Sequence, residues 1–149
     1  MRAVVQRVSE ARVTVDGQIA GQVAAGLCVR LGVATGDSEA DAVWMAEKIT
    51  LLRIFEDEAG KMNRSLLDTG GAILAISQFT LLGDARTGRR PAFTAAARPE
   101  VAQPLYARFC ALCRERGVRV EEGIFRATMQ VLIVNEGPVT LLVDSKKTF

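Results

Sequence analysis

The sequence predicts an α+β fold in which a mostly antiparallel, curled or barrel-like β-sheet carries two main helices. Three observations support this class. Strand patterns outnumber helical ones, neighbouring strand patterns are mostly separated by turns of hairpin length, and two segments repeat apolar residues at helical spacing. At 149 residues the chain has the length of one domain, so residues 1–149 are expected to form a single domain.

The first third of the chain is predicted to form strands. Valine-rich segments run from Ala3 to Val8 and from Arg12 to Val15. Asp16-Gly17 is a strong hairpin signal, and it leads into a partner strand from Gln18 to Val23. The run from Leu27 to Val33 is apolar enough for a central strand.

A first helix is predicted after Gly36, with Asp37 or Ser38 as its N-cap. It would cover the sheet with a stripe made of Ala42, Met45, Ala46, Ile49 and Leu52. A second helix is predicted from Pro99, at its first position, to a stop at Gly117. Its expected buried stripe is Val101, Leu105, Phe109, Leu112 and Cys113.

The remaining segments alternate strands and turns. Leu52 to Glu56 is predicted as a short strand and Ala72 to Leu82 as a central buried strand, followed by a basic loop from Gly83 to Thr94. Turns are expected at 57–61 and 68–71, further strands at Val118 to Glu121, Thr128 to Val134 and Val139 to Asp144, and a frayed tail from Ser145 to Phe149.

The composition excludes several classes of protein. The chain is 49% hydrophobic and 24% charged, as in ordinary soluble proteins, and its apolar runs are too short to cross a bilayer. No segment resembles an export signal, so we expect a cytoplasmic protein without a membrane partner. The net charge of +2 excludes a wholly basic nucleic-acid surface but permits local basic patches.

The cysteines and the absence of histidine narrow the chemistry further. Cys110-x-x-Cys113 is compatible with a redox or zinc site, but it lies within a helical pattern and lacks a second pair, so inert thiols, no metal and no cofactor are expected. The chain has no histidine, which excludes Ser-His-Asp and Cys-His catalysis. An enzyme of this sequence would use carboxylates, hydroxyls, backbone dipoles or its own substrate.

Three segments are candidates for function, each with a plainer alternative. Ser77, Gln78 and Thr80 interrupt a buried strand; they either face a cavity or lie where the strand reaches the surface. The pair Gly137-Pro138 lies between strands, where Gly-Pro is usually a simple turn. The loop that contains Arg86, Arg89 and Arg90 suits phosphate oxygens, but it could equally be a solvated charged loop.

Together these segments make the chain resemble the D-aminoacyl-tRNA deacylase family along essentially its full length. The resemblance is carried by the opening Met1-Arg2-Ala3-Val4-Val5-Gln6-Arg7-Val8, by Arg53-Ile54-Phe55-Glu56-Asp57, Gly60-Lys61-Met62-Asn63, Ser77-Gln78-Phe79-Thr80-Leu81, Gly88-Arg89-Arg90-Pro91 and Asn135-Glu136-Gly137-Pro138-Val139-Thr140. Phe125 and Met129 match positions that line the family's adenosine pocket, although Arg126 departs from the commoner Phe-Gly-Ala-x-Met form.

The resemblance implies a homodimer that hydrolyses the ester bond of D-aminoacyl-tRNA, and of glycyl-tRNA(Ala), at the acceptor end. Ser77, Gln78, Phe79 and Thr80 would be the catalytic segment, and a cis Gly137-Pro138 bond would reach into the partner's pocket to hold the α-amino group. A backbone wall would then exclude an L side chain. Arg86, Arg89 and Arg90 are the expected tRNA-binding residues.

The lack of a general base near Thr80 in the sequence constrains the mechanism. Thr80 is a possible nucleophile, but the segment 72–82 supplies no basic partner for its hydroxyl. We therefore favour substrate-assisted hydrolysis by the ribose 2′-hydroxyl, with backbone amides around Gln78 and Phe79 stabilising the oxyanion. Two other classes are a noncatalytic nucleic-acid-binding module on the same fold and a structural dimer without a ligand.

Overall fold

The computed structural model describes residues 1–149 as an α+β fold, which confirms the predicted class. The strands are β1 (Arg2–Val15), β2 (Gln18–Val23), β3 (Gly26–Gly32), β4 (Phe55–Glu56), β5 (Met62–Arg64), β6 (Ala72–Ser77), β7 (Val120–Glu122) and β8 (Gln130–Asp144). The helices are α1 (Glu39–Leu51), α2 (Leu66–Thr69) and α3 (Pro99–Glu115), and a 3₁₀ turn covers Phe79–Leu82. None of the helices is long and apolar enough to cross a membrane.

The sheet is organised around β1. Along one edge β1 pairs with β8, and along the other it pairs first with β3 and then with β2, all antiparallel. Beyond β3 the sheet continues with β6, which is parallel to β3, and then with β7, which is parallel to β6. β7 then approaches β2, since a Cβ placed on Gly21 would lie 2.6 Å from the carbonyl oxygen of Glu122. The sheet is therefore nearly closed, as the barrel-like prediction required, and most of its pairings are antiparallel.

The two longest strands correct the prediction of shorter ones. The segments Ala3 to Val8 and Arg12 to Val15 belong to one strand. The predicted strands Thr128 to Val134 and Val139 to Asp144 are likewise joined in one strand, which begins two residues late, at Gln130. The pairing of β1 with β8 is maintained across two shifts of register near Val8. A bulge bends a strand without ending it. The alternation of apolar and polar residues is therefore interrupted at a bulge, although the hydrogen-bonded pairing of the two strands continues.

The apolar side chains form two clusters on opposite faces of the sheet. The larger cluster lies between the sheet and the helices, and the smaller one fills the curled side. Neighbouring residues of β6 alternate between them, with Ile73 and Ala75 in the larger and Leu74 and Ile76 in the smaller. A strand buried on both faces explains the nearly continuous apolar run in this part of the sequence.

Helix α1 begins as predicted. Ser38 is the N-cap, and its amide donates to Oδ2 of Asp41 at 2.9 Å. The predicted stripe is buried except for Leu52, which follows the helix and is half-buried.

Helix α3 begins at Pro99 as predicted, but its buried stripe is displaced by one residue at several positions. The buried residues are Ala102, Tyr106, Phe109, Cys110 and Cys113, whereas Val101 is 47% exposed. The Tyr106 hydroxyl donates to the Ala75 carbonyl at 3.0 Å. This bond turns a polar-tipped side chain inward, which apolar periodicity alone does not show.

The short elements after α1 were only partly predicted. The strand predicted from Leu52 to Glu56 is confined to Phe55–Glu56, where it pairs with the unpredicted β5. The turn between them is held by the Asp57 carboxylate, which accepts from the amides of Ala59 and Lys61. The turn predicted at 68–71 contains the end of α2, and Gly70 closes this helix with a φ of +70°.

The C-terminal tail is bound to the body of the protein, so the prediction of fraying was wrong. The Ser145 hydroxyl donates to Asp41 at 2.7 Å, and the Lys146 ammonium group lies 2.8 Å from the same carboxylate. Thr148 donates to Asp144. Although burial opposes the ionisation of Asp41, the hydrogen bonds from Lys146 and Ser145 hold the pKa of this carboxyl below its usual range.

Candidate active site

The buried central strand ends earlier than the sequence predicts. β6 stops at Ser77, and the predicted continuation to Leu82 is a 3₁₀ turn that begins after Gln78. The Gln78 amide makes the last contact with the neighbouring strand, donating to the Leu31 carbonyl at 2.8 Å. The turn then packs on Gly32, where a Cβ would lie 2.5 Å from Cδ2 of Leu82. Gly32 thus leaves the space into which the chain turns.

A cavity of about 500 Å³ opens where β6 ends. It is lined by Val33, Ser77, Gln78, Phe79, Thr80, Phe93, Ala96, Ala97, Pro99, Ala102, Phe125, Arg126, Ala127 and Met129. Six of the predicted site residues are among them, from two segments far apart in sequence. Of the two alternatives drawn from the sequence, the structure therefore agrees with the one in which the polar residues that interrupt the strand face a cavity.

The polar side chains in the cavity have few partners within the protein. Nε2 of Gln78 donates to Oγ1 of Thr80 at 3.1 Å. No carboxylate or amine forms a hydrogen bond with Thr80, and the Ser77 hydroxyl has no hydrogen-bond partner in the protein. These hydroxyl and amide groups are available to a ligand, but none has a base beside it.

Backbone amides offer a second kind of donor. The Gln78 amide is already bonded to Leu31, so it is not free for an oxyanion. The first amides of a helical turn have no carbonyl partner within that turn. The amides of Phe79 and Thr80 begin the 3₁₀ turn at the cavity wall. They are the best backbone donors, and they lie one residue further along the chain than the predicted pair, Gln78 and Phe79.

The apolar side of the cavity is held by packing beneath it. The Phe125 ring lies 6.4 Å from the Tyr106 ring, and Tyr106 is anchored to the Ala75 carbonyl. Burial raises the pKa of Tyr106, so its hydroxyl stays protonated. Met129 packs against Gly123, where a Cβ would approach Sδ to 2.7 Å. A flat ring and a flexible thioether suit the face of a nucleobase or another planar group.

Several lining residues were not identified from the sequence. Phe93 comes from the end of the basic loop, and Ala96 and Ala97 come from the segment that follows it. The ring of Phe93 meets that of Phe79 edge-on at 5.2 Å. Arg126 also lines the cavity, with a positive φ of 66°. Its departure from the family pattern was the one sequence signal that marked this position.

Gly137 and Pro138 do not line the cavity of their own chain. In the ladder of β1 and β8, Val8 pairs with Asn135 and Gln6 pairs with Thr140. Four residues of β8, 136–139, therefore lie opposite the single residue Arg7 and form a bulge. The Asn135 amide group closes this bulge by donating to the carbonyls of Arg7 and Val139. The bond between Gly137 and Pro138 is cis, and both residues are exposed.

The Arg7 side chain supports this bulge from below. It is 7% exposed and donates to the carbonyls of Ile54 at 2.8 Å and Glu136 at 3.3 Å. A Cβ on Gly137 would lie 3.0 Å from Nη2 of Arg7. The exposed carbonyls of 137–138 are thus presented on a fixed backbone.

The three arginines of the basic loop are not equivalent. Arg86 is paired with Asp84 at 2.6 Å, and its hydrogen bonds hold the pKa of that carboxyl below its usual range. Arg89 and Arg90 are exposed and form no ion pair. A bridge between Asp84 and Ala92 closes the loop beside Phe93. The loop therefore stands at the rim of the cavity with two free cations.

Other features of the structure do not bring predicted site residues together. A groove of about 390 Å³ lies along α1 beside Trp44, and a shallow one of about 620 Å³ lies at the turn around Asp57. The cysteines are buried away from the cavity. Burial raises the pKa of Cys28 to about 11 and those of Cys110 and Cys113 to about 12, so the thiols are poor nucleophiles.

Comparisons with known proteins point to one family. A family model described as D-Tyr-tRNA(Tyr) deacylase matches residues 4–144. A protein of Symbiobacterium thermophilum named D-aminoacyl-tRNA deacylase is 60% identical over 149 residues, which cover 100% of this chain and 99% of the relative. A protein of the same name from Thermus aquaticus is 60% identical over 147 residues, covering 99% of this chain and 97% of the relative.

Solved structures share the same architecture. The structure of a c-Myc DNA unwinding element binding protein superposes with a TM-score of 0.91 at 40% identity, covering 97% of this chain and 98% of that one. A probable eukaryotic D-amino acid tRNA deacylase superposes with a TM-score of 0.84, covering 95% and 97% of the two chains. At 20% identity the second likeness concerns the fold alone.

Proposed function

The chain belongs to the D-Tyr-tRNA(Tyr) deacylase family and has D-aminoacyl-tRNA deacylase activity, and we propose that it hydrolyses its substrate by substrate-assisted catalysis in a site shared between two subunits. The observation that carries this proposal is the convergence of Ser77, Gln78 and Thr80 with Phe125 and Met129 on one cavity. Such a cavity combines polar groups for an ester with an apolar wall for the terminal adenosine.

The proposed reaction uses water and the ribose of the substrate. The 2′-hydroxyl beside the ester orients and activates a water molecule, whose oxygen attacks the carbonyl carbon. The bond from that carbon to the ribose 3′-oxygen then breaks, and a proton passes to the leaving oxygen. The products are the free D-amino acid and tRNA with a 3′-hydroxyl.

The protein would position the substrate and stabilise the developing charge. The amides of Phe79 and Thr80 are the proposed oxyanion donors, because the Gln78 amide is bonded to Leu31. The side chains of Ser77 and Gln78 would orient the ribose or the carbonyl group. Thr80 lacks an adjacent base, so we assign it to positioning and not to nucleophilic attack. No metal or cofactor enters this scheme.

Selection between D and L substrates is proposed to involve a second copy of the chain. The exposed carbonyls of Gly137 and Pro138 would accept hydrogen bonds from the substrate's α-ammonium group in the partner's cavity, which fixes the directions of the other substituents on Cα. An L side chain would then meet the backbone wall and a D side chain would point outward. Glycine has no side chain to exclude, so glycyl-tRNA(Ala) would also react.

The surface around this bulge supports a homodimer. β8 pairs only with β1, and Leu132, Val134 and Leu142 along it are 42%, 46% and 64% exposed. The bulge at 136–139 interrupts this apolar strand. A second copy seated on β8 would cover the apolar side chains and receive the bulge at the same time.

The basic loop is proposed to hold the acceptor end of tRNA. Arg89 and Arg90 are free for phosphate oxygens, while Arg86 is neutralised by Asp84. A protein that binds aminoacyl-tRNA in this way would act in the cytoplasm. Residues 1–149 would form its single catalytic domain. The alternative of a noncatalytic nucleic-acid-binding module has the same basic loop but needs no cavity at Ser77.

The first prediction concerns chirality. The protein should release D-tyrosine from D-tyrosyl-tRNA with a kcat/KM roughly 100-fold or more above that for L-tyrosyl-tRNA. The reason is that an L side chain would clash with the backbone wall of the cavity, and a buried clash is hard to relieve. Glycyl-tRNA should also be hydrolysed. The measurement is release of labelled amino acid from matched tRNAs. Binding of all three tRNAs without hydrolysis of any would favour the noncatalytic module.

The second prediction separates the two mechanisms. Thr80→Val should keep kcat within about tenfold of the unaltered protein, because no proton transfer is assigned to the hydroxyl. A substrate with a 2′-deoxy terminal ribose should react about 100-fold more slowly. Thr80→Ser is the control that retains the hydroxyl. Isolation of an aminoacyl ester on Thr80 would reverse this assignment.

The third prediction tests the shared site by complementation. Gly137→Ala should displace the two carbonyls, because its Cβ would lie 3.0 Å from the Arg7 guanidinium group. Gln78→Ala should impair the cavity. Each variant alone should be nearly inactive. A randomly paired mixture of the two chains should regain about a quarter of the full activity, since about half of the dimers are mixed and each of these carries one intact site of two.

This experiment requires co-expression of two differently tagged chains and a gel-filtration check of dimerisation. A site contained within one chain would give no recovery in the mixed dimers. A monomer of full activity would contradict the shared site directly.

The fourth prediction concerns the basic loop. The double variant Arg89→Ala/Arg90→Ala should bind tRNA more weakly and lower the slope of log affinity against log salt by about 1.5, as expected for two lost phosphate contacts. The chiral preference should not change. Arg53→Ala/Lys61→Ala, which removes two exposed charges elsewhere, is the matched control. Equal slopes for the two double variants would show that the loop is merely solvated.

A further inference from the structure

Arg126 occupies a backbone position that favours glycine. The amide of Ala127 donates to the carbonyl of Ile124 at 3.2 Å, which closes a four-residue turn. Arg126 is the third residue of that turn and has a φ of +66°. Residues with a Cβ rarely adopt this conformation, and glycine or asparagine usually does. The turn alone therefore gives no reason for an arginine.

The Arg126 side chain is a free cation at the cavity. It lines the same cavity as Ser77 and Phe125, and it is exposed. Its guanidinium group forms no hydrogen bond and no ion pair with the protein, whereas Arg114 is paired with Glu122 at 2.8 Å. No carboxylate competes for the donors of Arg126, so they are available to an anion.

The substrate carries a negative charge at a matching place. In the proposed function, on which this inference rests, Phe125 packs against the terminal adenosine, and Arg126 follows it in the chain. The phosphate on the 5′ side of that adenosine is the charge nearest to the ester on the nucleotide itself. A guanidinium group can donate two parallel hydrogen bonds to phosphate oxygens.

We propose that Arg126 forms a phosphate subsite that binds the 5′-phosphate of the terminal adenosine. This subsite is distinct from the basic loop, because Arg126 lines the cavity whereas Arg86, Arg89 and Arg90 do not. It fixes the nucleotide next to the reacting ester, so it contributes to kcat/KM even on a substrate that is a single nucleotide long.

The experiment compares two small substrates that differ by one phosphate. They are the 3′-O-D-tyrosyl esters of adenosine and of adenosine 5′-monophosphate. The unaltered protein should hydrolyse the phosphorylated ester with a kcat/KM about tenfold higher, a typical effect of one charge-assisted contact. Arg126→Gly should bring the ratio of the two kcat/KM values to about one, chiefly by lowering kcat/KM for the phosphorylated ester. Arg126→Lys should keep part of the preference.

The chain supplies a matched control. Lys147 is also an exposed cation with a positive φ, of 55°, and its variant Lys147→Gly removes the same charge away from the cavity. That variant should keep the preference for the phosphorylated ester. Arg126→Gly should melt at the same or a higher temperature, since glycine adopts the turn more easily.

The outcomes separate this inference from the proposed function. Equal rates of the unaltered protein on the two esters, or an equal loss on both in Arg126→Gly, would overturn the phosphate subsite while deacylation stands. Failure of the unaltered protein to hydrolyse either ester or D-tyrosyl-tRNA would overturn the proposed function, and the subsite with it.

Discussion

The ladder between β1 and β8 is the constraint on which both parts of the candidate site depend. Along this ladder the residues opposite Arg7 bulge outward and expose the carbonyls of Gly137 and Pro138. On its other edge β1 supports β3, and β3 supports β6, whose end opens the cavity. One central strand therefore fixes the cavity and the bulge on a common frame, which a site shared between two subunits would require.

The chemistry of the cavity is set by groups that do not titrate near neutral pH. Ser77, Gln78 and Thr80 offer hydroxyl and amide groups, and burial keeps the Tyr106 hydroxyl beneath them protonated. With no histidine in the chain, proton transfer has no protein base at hand. In the proposed function a substrate that brings its own hydroxyl would resolve this difficulty, because the protein would then need only to orient the ester and stabilise the charge on its oxygen.

The charges of the protein are local and mostly balanced. The net charge is only +2, and many arginines are paired, as Arg108 is with Glu39 and Arg2 with Asp144. Arg89, Arg90, Arg98 and Arg126 are exposed and form no ion pair; Arg126 lines the cavity, and Arg98 lies between two residues that line it. In the proposed function this distribution would direct a polyanion to one rim without making the whole surface basic, which would suit an end of tRNA better than a long duplex.

By itself the sequence determined the α+β class, the starts of α1 and α3 and the hairpin at Asp16-Gly17, because capping, turn chemistry and hydrophobic runs act locally. Ser77 to Thr80 and Gly137-Pro138 were marked as candidates by their resemblance to family motifs, since each also has a plain local interpretation. Only the tertiary structure decided that β1 and β8 continue through their irregularities, that α3 turns Tyr106 inward, and that β6 ends at Ser77. It also brought Phe93 and Arg126 to the cavity and left Gly137 outside it. These features depend on pairing and packing between residues distant in the chain, which no local pattern encodes.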